Sequence, residues 1–211
     1  MPKLGGSALV LTRQSGVVPE SNAPAVVDVH TARDWERWLQ RNHAKTTEGV
    51  WLRMYKKGKS TATLTYVEAV EVALCFGWID GQGKSYDDVS RVQRFTPRRA
   101  RSVWSKINTE RADRLVSDGR MRASGLREIE AAKADGRWQR AYDPPSRAEP
   151  PADFLAELAK HKKAAAFFAT LNKRNTYAVT YRLQTATTPE TRAKRMTAIL
   201  DMLERGEKFY D

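Results

Sequence analysis

Four prolines close together divide this sequence of 211 residues into two parts. They form the pairs Pro144-Pro145 and Pro150-Pro151. Proline lacks an amide donor and its ring clashes with the preceding helical turn, so neither a helix nor an inner strand continues through this segment. We therefore predict a loose N-terminal leader over residues 1–28, an α+β domain over 29–140, a proline-rich joint over 141–152 and a C-terminal helical unit over 153–211.

The part before the joint shows the periodicities of both strands and helices. Thr65 and Glu68 have the spacing of a capping box, which predicts the start of a helix there, and Gly77 is its predicted end. Residues 50–55 alternate between two sets of side chains, with the period of a strand. Further strands are predicted over 78–80 and 91–96 and, in the leader, over 8–14; further helices are predicted to begin after Thr31, Ser102 and Ser124.

Every periodic segment after the joint is helical. Thr188 is followed by Pro189, which suits the first position of a helix because its missing N–H is not needed there. The helix that follows places one apolar stripe on a single face, namely Ala193, Met196, Leu200 and Leu203. The predicted fold class is α+β, with a small, mostly antiparallel sheet packed by helices and followed by a C-terminal helical unit.

The charge of the chain predicts an anionic partner. There are 37 Lys and Arg residues against 25 Asp and Glu residues, which gives a formal net charge of +12. Basic residues are concentrated in two zones, 91–122 and 160–195, on either side of an acidic stretch over 143–159. Such a surface attracts nucleic acid or small anions. The alternative is a solvated basic surface without a ligand.

Several features of the sequence favour a cytoplasmic protein. No stretch reaches the ~18 consecutive apolar residues of a membrane-spanning helix, so we predict no membrane span. The apolar run near the start, residues 8–11, is shorter than the core of a secretion signal. The single cysteine, Cys75, cannot form an internal disulfide, which is typical of a reducing compartment.

Residue types that usually carry metal or covalent chemistry are sparse. The three histidines are far apart and show no metal-ligand spacing, so we predict neither a metal nor a cofactor. Cys75 lies in an apolar stretch of a predicted helix, which favours a core residue over a nucleophile. The segment over 81–85 lacks the spacing of a phosphate-binding P-loop, but its backbone amides together with Lys84 are a candidate nest for an anion.

The densest basic cluster lies between residues 91 and 105. Arg98 precedes the helix predicted to begin after Ser102, and the free amides of a helix N-terminus favour anions. Guanidinium groups match the geometry of carboxylates and phosphates. Trp104, predicted one turn inside that helix, adds a flat face for stacking or a cation–π contact. The alternative, in which Trp104 belongs to the core and the arginines form a solvated rim, stays open.

One string of residues resembles the signature of a known family. The run from Cys75 to Gly81 reads Cys-Phe-Gly-Trp-Ile-Asp-Gly and is similar to the signature of the YdeI/OmpD-associated family, also labelled bacteriocin-protection proteins. Similar blocks follow over 94–98, 103–108 and 182–195, so the resemblance spans most of the chain. It implies a bacterial protein associated with tolerance of bacteriocins or antimicrobial peptides, with no assigned reaction and no catalytic residues to carry over.

We predict a non-enzymatic, cytoplasmic stress or bacteriocin-protection protein that binds an anionic small molecule in one groove. Arg94 and Arg98 grip the anion in this hypothesis, and Trp104 forms a wall of the groove. Asp80 and Asn108 orient hydrogen-bond donors. The complete predicted lining is Asp80, Lys84, Arg94, Arg98, Trp104 and Asn108.

Two alternatives belong to other functional classes. The first is a nucleic-acid-binding protein that uses the basic zones 91–122 and 160–195, with an affinity that falls steeply as salt is added. The second is an enzyme in which Asp80, beside Arg94, acts as the acid/base group.

Overall fold

The computed structural model describes residues 25–59 and 61–211. The strand predicted over residues 8–14 lies outside them. The described residues form a four-stranded sheet and eight helices. The strands are β1 (Val26–Val27), β2 (Val50–Tyr55), β3 (Trp78–Ser85) and β4 (Ser90–Pro97); the helices are α1 (Ala32–Asn42), α2 (Tyr66–Cys75), α3 (Lys106–Ser117), α4 (Ala123–Ala134), α5 (Ala152–Leu158), α6 (Lys162–Phe168), α7 (Lys173–Gln184) and α8 (Pro189–Glu204).

The predicted α+β class is confirmed, with a sheet that is mixed. The strand order is β1-β2-β4-β3, and β4 pairs antiparallel with both of its neighbours. The short strand β1 pairs parallel with β2, which is the departure from an antiparallel sheet. The chain after the joint is helical, from α5 to α8. Among the described helices, none has both the length and the apolar character needed to cross a membrane.

Side-chain caps fix the starts of several helices. The Thr65 hydroxyl accepts a hydrogen bond from the Glu68 amide (3.3 Å), and the Glu68 carboxylate accepts one from the Thr65 amide (2.8 Å), so the predicted capping box is confirmed. Thr31 and Thr188 cap α1 and α8 as predicted. Gly77 follows α2 with a φ of +74°, a left-handed conformation that glycine adopts without strain.

The start of α3 differs from the prediction. Ser105 caps this helix, by accepting a hydrogen bond from the Asn108 amide, whereas Ser102 accepts one from Arg99 in a preceding turn. The carbonyl of Trp104 is engaged by the amide of Tyr142 (2.9 Å), so this residue is held in a bridged, extended segment. Trp104 therefore lies just before α3, and its predicted place one turn inside a helix was wrong.

The two faces of the sheet differ in burial. Along β2, the residues at positions 50, 52 and 54 are buried, and the residues between them are half-buried. Arg94 pairs with Trp51, and Lys84 pairs with Val92. Paired residues share a face, since side chains alternate along each strand. The face opposite the core, called the open face below, carries Trp51, Arg53, Tyr55, Lys84 and Arg94.

A β-bulge divides β3 into two segments. Asp80 pairs with Phe95, but Gly83 pairs with Gln93, so β3 contains one more residue than β4 between these pairs. Phe95 is fully buried and packs against Trp35 of α1, which places Asp80 on the core face of the sheet. The bulge thus turns Asp80 and Lys84 to opposite faces, although their spacing of four residues puts them on the same face of a regular strand.

Buried apolar side chains form two clusters. The first covers the core face of the sheet and draws residues from α1 to α4, with Trp35 fully buried. Cys75 belongs to it, as the sequence predicted, and burial raises the pKa of its thiol to about 11. The second cluster holds α5 to α8 together around Phe154, Leu183 and Leu203. The division into domains over 29–140 and 153–211 stays a prediction.

The proline-rich joint contacts elements on both sides. Tyr142 forms a parallel bridge with Ser105, just before α3, and its ring meets that of Tyr181 in α7 edge-on, with the centroids 4.9 Å apart. The amide of Asp143 donates to the side chain of Gln184 (3.1 Å), and the Gln184 amide group donates to the Asp143 carboxylate (2.8 Å). Residues 142 and 143 therefore connect α3 to α7.

Candidate anion-binding site

The guanidinium of Arg98 is buried next to an indole ring. Arg98 follows β4, and its amide donates to the carbonyl of Gly77 (2.9 Å) at the end of α2. Its guanidinium carbon lies 3.5 Å from the centroid of the Trp104 ring. The two residues are only 7% and 2% exposed. Burial lowers the pKa of Arg98 to about 10, because the charged form loses its hydration.

Three buried nitrogen atoms at this place lack an acceptor. The Nη1 atom of Arg98 donates to the carbonyl of Val103 (3.3 Å). Within the described part of the chain, Arg98 Nε, Arg98 Nη2 and Trp104 Nε1 are buried and have no hydrogen-bond partner. Buried donors in native proteins are nearly always satisfied by protein, water or a bound ligand. The site therefore offers donors to an acceptor from outside the described residues.

Backbone pairing holds the Trp104 indole in place. The amide of Tyr142 donates to the Trp104 carbonyl, and the amide of Lys106 donates to the Tyr142 carbonyl, both at 2.9 Å. The ring of Trp138 packs on the Trp104 indole, with the centroids 4.9 Å apart. The indole is thus fixed from the joint on one side and from the segment after α4 on the other.

Tyr142 also lies within electrostatic reach of other predicted site residues. Burial raises the pKa of its phenol, and the neighbouring Tyr181 and the negative charge of Asp80 raise it further, whereas the charge of Arg98 lowers it. Asp80 is half-buried, and its carboxylate accepts a hydrogen bond from the hydroxyl of Tyr66. Tyr142, Asp80 and Arg98 therefore belong to one polar neighbourhood beside the core face of the sheet.

Asn108 lies in the first turn of α3, next to this neighbourhood. It is 8% exposed, and its Oδ1 atom accepts a hydrogen bond from Nη1 of Arg111 (3.1 Å). Its amide donates to Ser105, the residue that also forms a hydrogen bond with the side chain of Tyr142. The side chain of Asn108 is thus already engaged within α3.

Lys84 and Arg94 lie on the open face, away from Arg98. The Lys84 ammonium lies 4.5 Å from the centroid of the half-buried Trp51 ring, and the Arg94 guanidinium carbon lies 5.6 Å from it. Arg94 also donates to the carbonyl of Glu48. The structure therefore brings Arg98 and Trp104 together, keeps Asp80 and Asn108 on the same side of the sheet, and separates Lys84 and Arg94 from them. Binding by these residues stays a prediction.

The register also bears on the enzyme hypothesis. Asp80 and Arg94 lie on opposite faces of the sheet, because Asp80 pairs with the buried Phe95 and Arg94 pairs with Trp51. The group that contacts the Asp80 carboxylate is the hydroxyl of Tyr66. An acid/base role for Asp80 would have to use the neighbourhood of Tyr66 and Tyr142.

The sequence analysis did not identify the aromatic residues of the open face or those around Arg98 and Trp104. Trp51 and Tyr55 occupy the polar positions of the alternating pattern in β2, and two aromatic side chains on that face were a usable signal. Tyr142 and Trp138 carried no such signal, since their roles arise from contacts across long stretches of chain. Among the described residues, no group of three or more His, Cys, Asp or Glu side chains is arranged to hold a metal ion.

Two family models match separate segments of the chain. Residues 27–128 match a family model described as Domain of unknown function (DUF8412). Residues 147–206 match a second model, described as Bacteriocin-protection, YdeI or OmpD-Associated. The Cys-Phe-Gly-Trp-Ile-Asp-Gly string and the Arg98–Trp104 contact lie within the first matched segment. No curated protein and no solved structure matches the chain.

Proposed function

We propose that this chain is a non-enzymatic bacteriocin-protection protein that acts in the cytoplasm by binding a small anion at Arg98. Residues 147–206 match the model of the bacteriocin-protection, YdeI or OmpD-associated family, which confirms the predicted resemblance over that segment. The stress role, the location and the anion are parts of this proposal. The observation that carries it is the set of three buried donors on Arg98 and Trp104 that have no partner among the described residues.

A buried guanidinium needs compensation. Moving an unpaired charge out of water into a protein interior costs roughly several kcal/mol. The contact with Trp104 offsets about 2 kcal/mol of this cost. Glu128 and Asp80 attract Arg98 through space, but within the described residues neither accepts a hydrogen bond from its Nε or Nη2 atom. An anion from solution would supply the missing acceptors.

The donors fit a carboxylate best. Nε and Nη2 lie on one edge of the guanidinium, and an arginine edge donates two parallel hydrogen bonds to the two oxygens of a carboxylate or phosphate. The negative charges of Glu128 and Asp80 oppose any second negative charge at this place. A singly charged carboxylate is therefore favoured over a phosphate dianion.

Calorimetric titration of the full chain with acetate, benzoate and inorganic phosphate tests this proposal. We expect saturable binding of a carboxylate, its loss in Arg98→Met, and unchanged binding in the matched control Arg94→Met, which removes the same charge on the open face. Circular dichroism establishes that both variants are folded. Equal binding by Arg98→Met, or no binding by the natural chain, would overturn the proposal.

A second candidate function is the binding of single-stranded nucleic acid on the open face. The observation that favours it is the pair of cations, Lys84 and Arg94, beside the half-buried ring of Trp51. Bases stack on exposed aromatic rings while basic side chains contact the phosphates. We rank it second because Asp28 and Asp87 form ion pairs with the neighbouring Arg53 and place negative charge on the same face.

Fluorescence anisotropy of a labelled oligothymidine tests this second function. The affinity should fall steeply as the salt concentration is raised from about 50 to about 200 mM, because each phosphate that the protein neutralises releases counterions. Trp51→Ala should weaken binding about tenfold or more, by the usual contribution of one stacked base. Unchanged affinity in Trp51→Ala, or affinity that is lost only when basic residues of the zone 160–195 are replaced, would exclude the open face as the site.

A further inference from the structure

A groove lies between α5 and α8, far along the chain from Arg98. Its volume is about 570 Å³. One wall comes from α5 and the residue His161, and the other comes from one face of α8. It belongs to the segment after the joint, and the two functions proposed above do not use it.

The floor of this groove is apolar. It is formed on α8 by Pro189, Ala193, Met196 and Leu200, which follow one another on a single face of the helix. The sequence predicted a stripe over the last three of these that packs into the core. Leu200 is buried, but Met196 is only half-buried and Ala193 is exposed. The stripe therefore leaves the core towards its N-terminal end and presents apolar surface to the groove.

The rim of the groove is acidic, in a chain whose net charge is +12. Three carboxylates line it, those of Asp153 and Glu157 on α5 and Asp201 on α8, against a single arginine, Arg192. Glu157 also accepts a hydrogen bond from Lys160 (2.7 Å), which lies outside the lining. Arg192 is occupied by Asp153, with hydrogen bonds of 2.6 and 3.0 Å. With His161 neutral, the lining carries a net charge of −2. This is opposite in sign to the net charge of the chain.

We propose that this groove binds a cationic amphipathic helix. The apolar side of such a helix would cover Ala193, Met196 and Leu200, and its Lys or Arg residues would reach Glu157 and Asp201. From Pro189 to Leu200 the floor extends over about 16 Å at ~1.5 Å per residue, which is the length of three helical turns. Recognition of this kind uses apolar anchors on one helix face, and the acidic rim selects for positive charge.

The charge pattern separates this occupant from others. An anionic segment would meet the carboxylates of the rim, and an uncharged apolar molecule would leave them unpaired. A second copy of the chain would need to present a cationic helix with an apolar face. These three are therefore outcomes to be distinguished by experiment.

A fluorescently labelled 14-residue peptide of Leu and Lys, arranged to be amphipathic as a helix, is the probe for titration of the full chain. We expect saturable binding that weakens as salt is added, and no binding of the same peptide with Glu in place of Lys. Asp201→Lys should weaken binding by about threefold to tenfold, as expected for reversing one charge at an interface rim. Asp118→Lys, the same change at an exposed position after α3, is the matched control and should alter binding less than twofold.

A second variant tests the apolar floor. Ala193→Arg adds bulk and positive charge at the centre of the groove and should abolish binding, and because this position is exposed, the fold should not change. Equal binding of the Glu peptide, or unchanged binding by both Asp201→Lys and Ala193→Arg, would overturn the proposal. Arg98→Met should leave peptide binding intact, so failure of the anion site and failure of the groove are distinguishable.

Discussion

The guanidinium carbon of Arg98 lies 3.5 Å from the centroid of the Trp104 ring, so that the indole covers one face of this buried cation. The Nε and Nη2 atoms of Arg98 have no acceptor among the described residues. The contact joins the residue after β4 to the segment before α3. If this charge is kept for binding, as proposed above, removing it should not weaken the fold.

Arg98→Met should not destabilise the ligand-free protein. Methionine has a similar volume and carries no charge, and replacing buried charged groups by apolar ones is often neutral or stabilising by about 1–4 kcal/mol. We expect the free energy of unfolding in urea to stay equal or to rise by about 1 kcal/mol. Arg98→Ala is the control and should lose about 2–4 kcal/mol, because it leaves a cavity. Losses of equal size in both variants would show that the charge itself stabilises the fold.

Stability should fall at alkaline pH through Cys75. Its thiol ionises near 9.0 in the ordinary case, and burial raises its pKa to about 11 in the folded chain. The folded state then holds a proton that the unfolded state releases, so this contribution is complete below pH 9 and is lost as the pH rises to 11. Urea unfolding at pH 8 and pH 11 should show a loss for the natural chain that exceeds the loss for Cys75→Ala by about 2 kcal/mol. Parallel losses would mean that the thiol is accessible to solvent.

The ring of Tyr142 should determine how firmly α7 is attached to the rest of the chain. Tyr142→Ala removes the edge-on contact with Tyr181, whereas Tyr142→Phe keeps it. We expect faster amide hydrogen exchange in α7 for the alanine variant only, together with unfolding in two steps. This measurement also tests the predicted division into domains over 29–140 and 153–211. A single cooperative transition in Tyr142→Ala would argue for one folding unit.

Loss of the capping hydroxyl should weaken the start of α2. Thr65→Ala removes the acceptor for the Glu68 amide and should cost about 1 kcal/mol of stability. Thr65→Ser keeps the hydroxyl and should cost much less. The hydrogen bonds from Thr65 lower the pKa of Glu68, so their contribution is present above the ordinary pKa and disappears as the pH falls through the lowered value. Thermal unfolding of both variants at pH 7 and pH 3 would show whether the difference between them shrinks in acid.

The sequence predicted most local structure because its signals are local. The caps at Thr31, Thr65 and Thr188 are set by residues three positions apart, and the structure contains all three. The start of α3 was misplaced because Ser102 and Ser105 are both good caps, and the choice depends on the bridge between Tyr142 and Ser105. Pairing across nearly forty residues of chain is not visible in a window of a few residues.

The candidate site was predicted less well than the fold, for a reason of register. Arg98 and Trp104 were correctly placed near each other because they are close in sequence. Lys84 was assigned to a loop after the strand predicted over 78–80 and was grouped with Asp80 in one groove, whereas β3 continues to Ser85. In a regular strand, their spacing of four positions would put both on the same face. The bulge between Asp80 and Gly83 reverses that relation, and nothing in the residue types of this segment fixes which residue is left unpaired.

We expect the bulge in β3 to hinder self-association. Among the described residues, β3 is an outer strand of the sheet, and its exposed residues from Gln82 to Ser85 lie along an edge that another strand could approach. A bulge interrupts the regular spacing that an incoming strand would need, and the charge of Lys84 opposes a dry, flat junction. We therefore expect that the chain does not polymerise edge to edge in concentrated solution while the bulge in β3 is present.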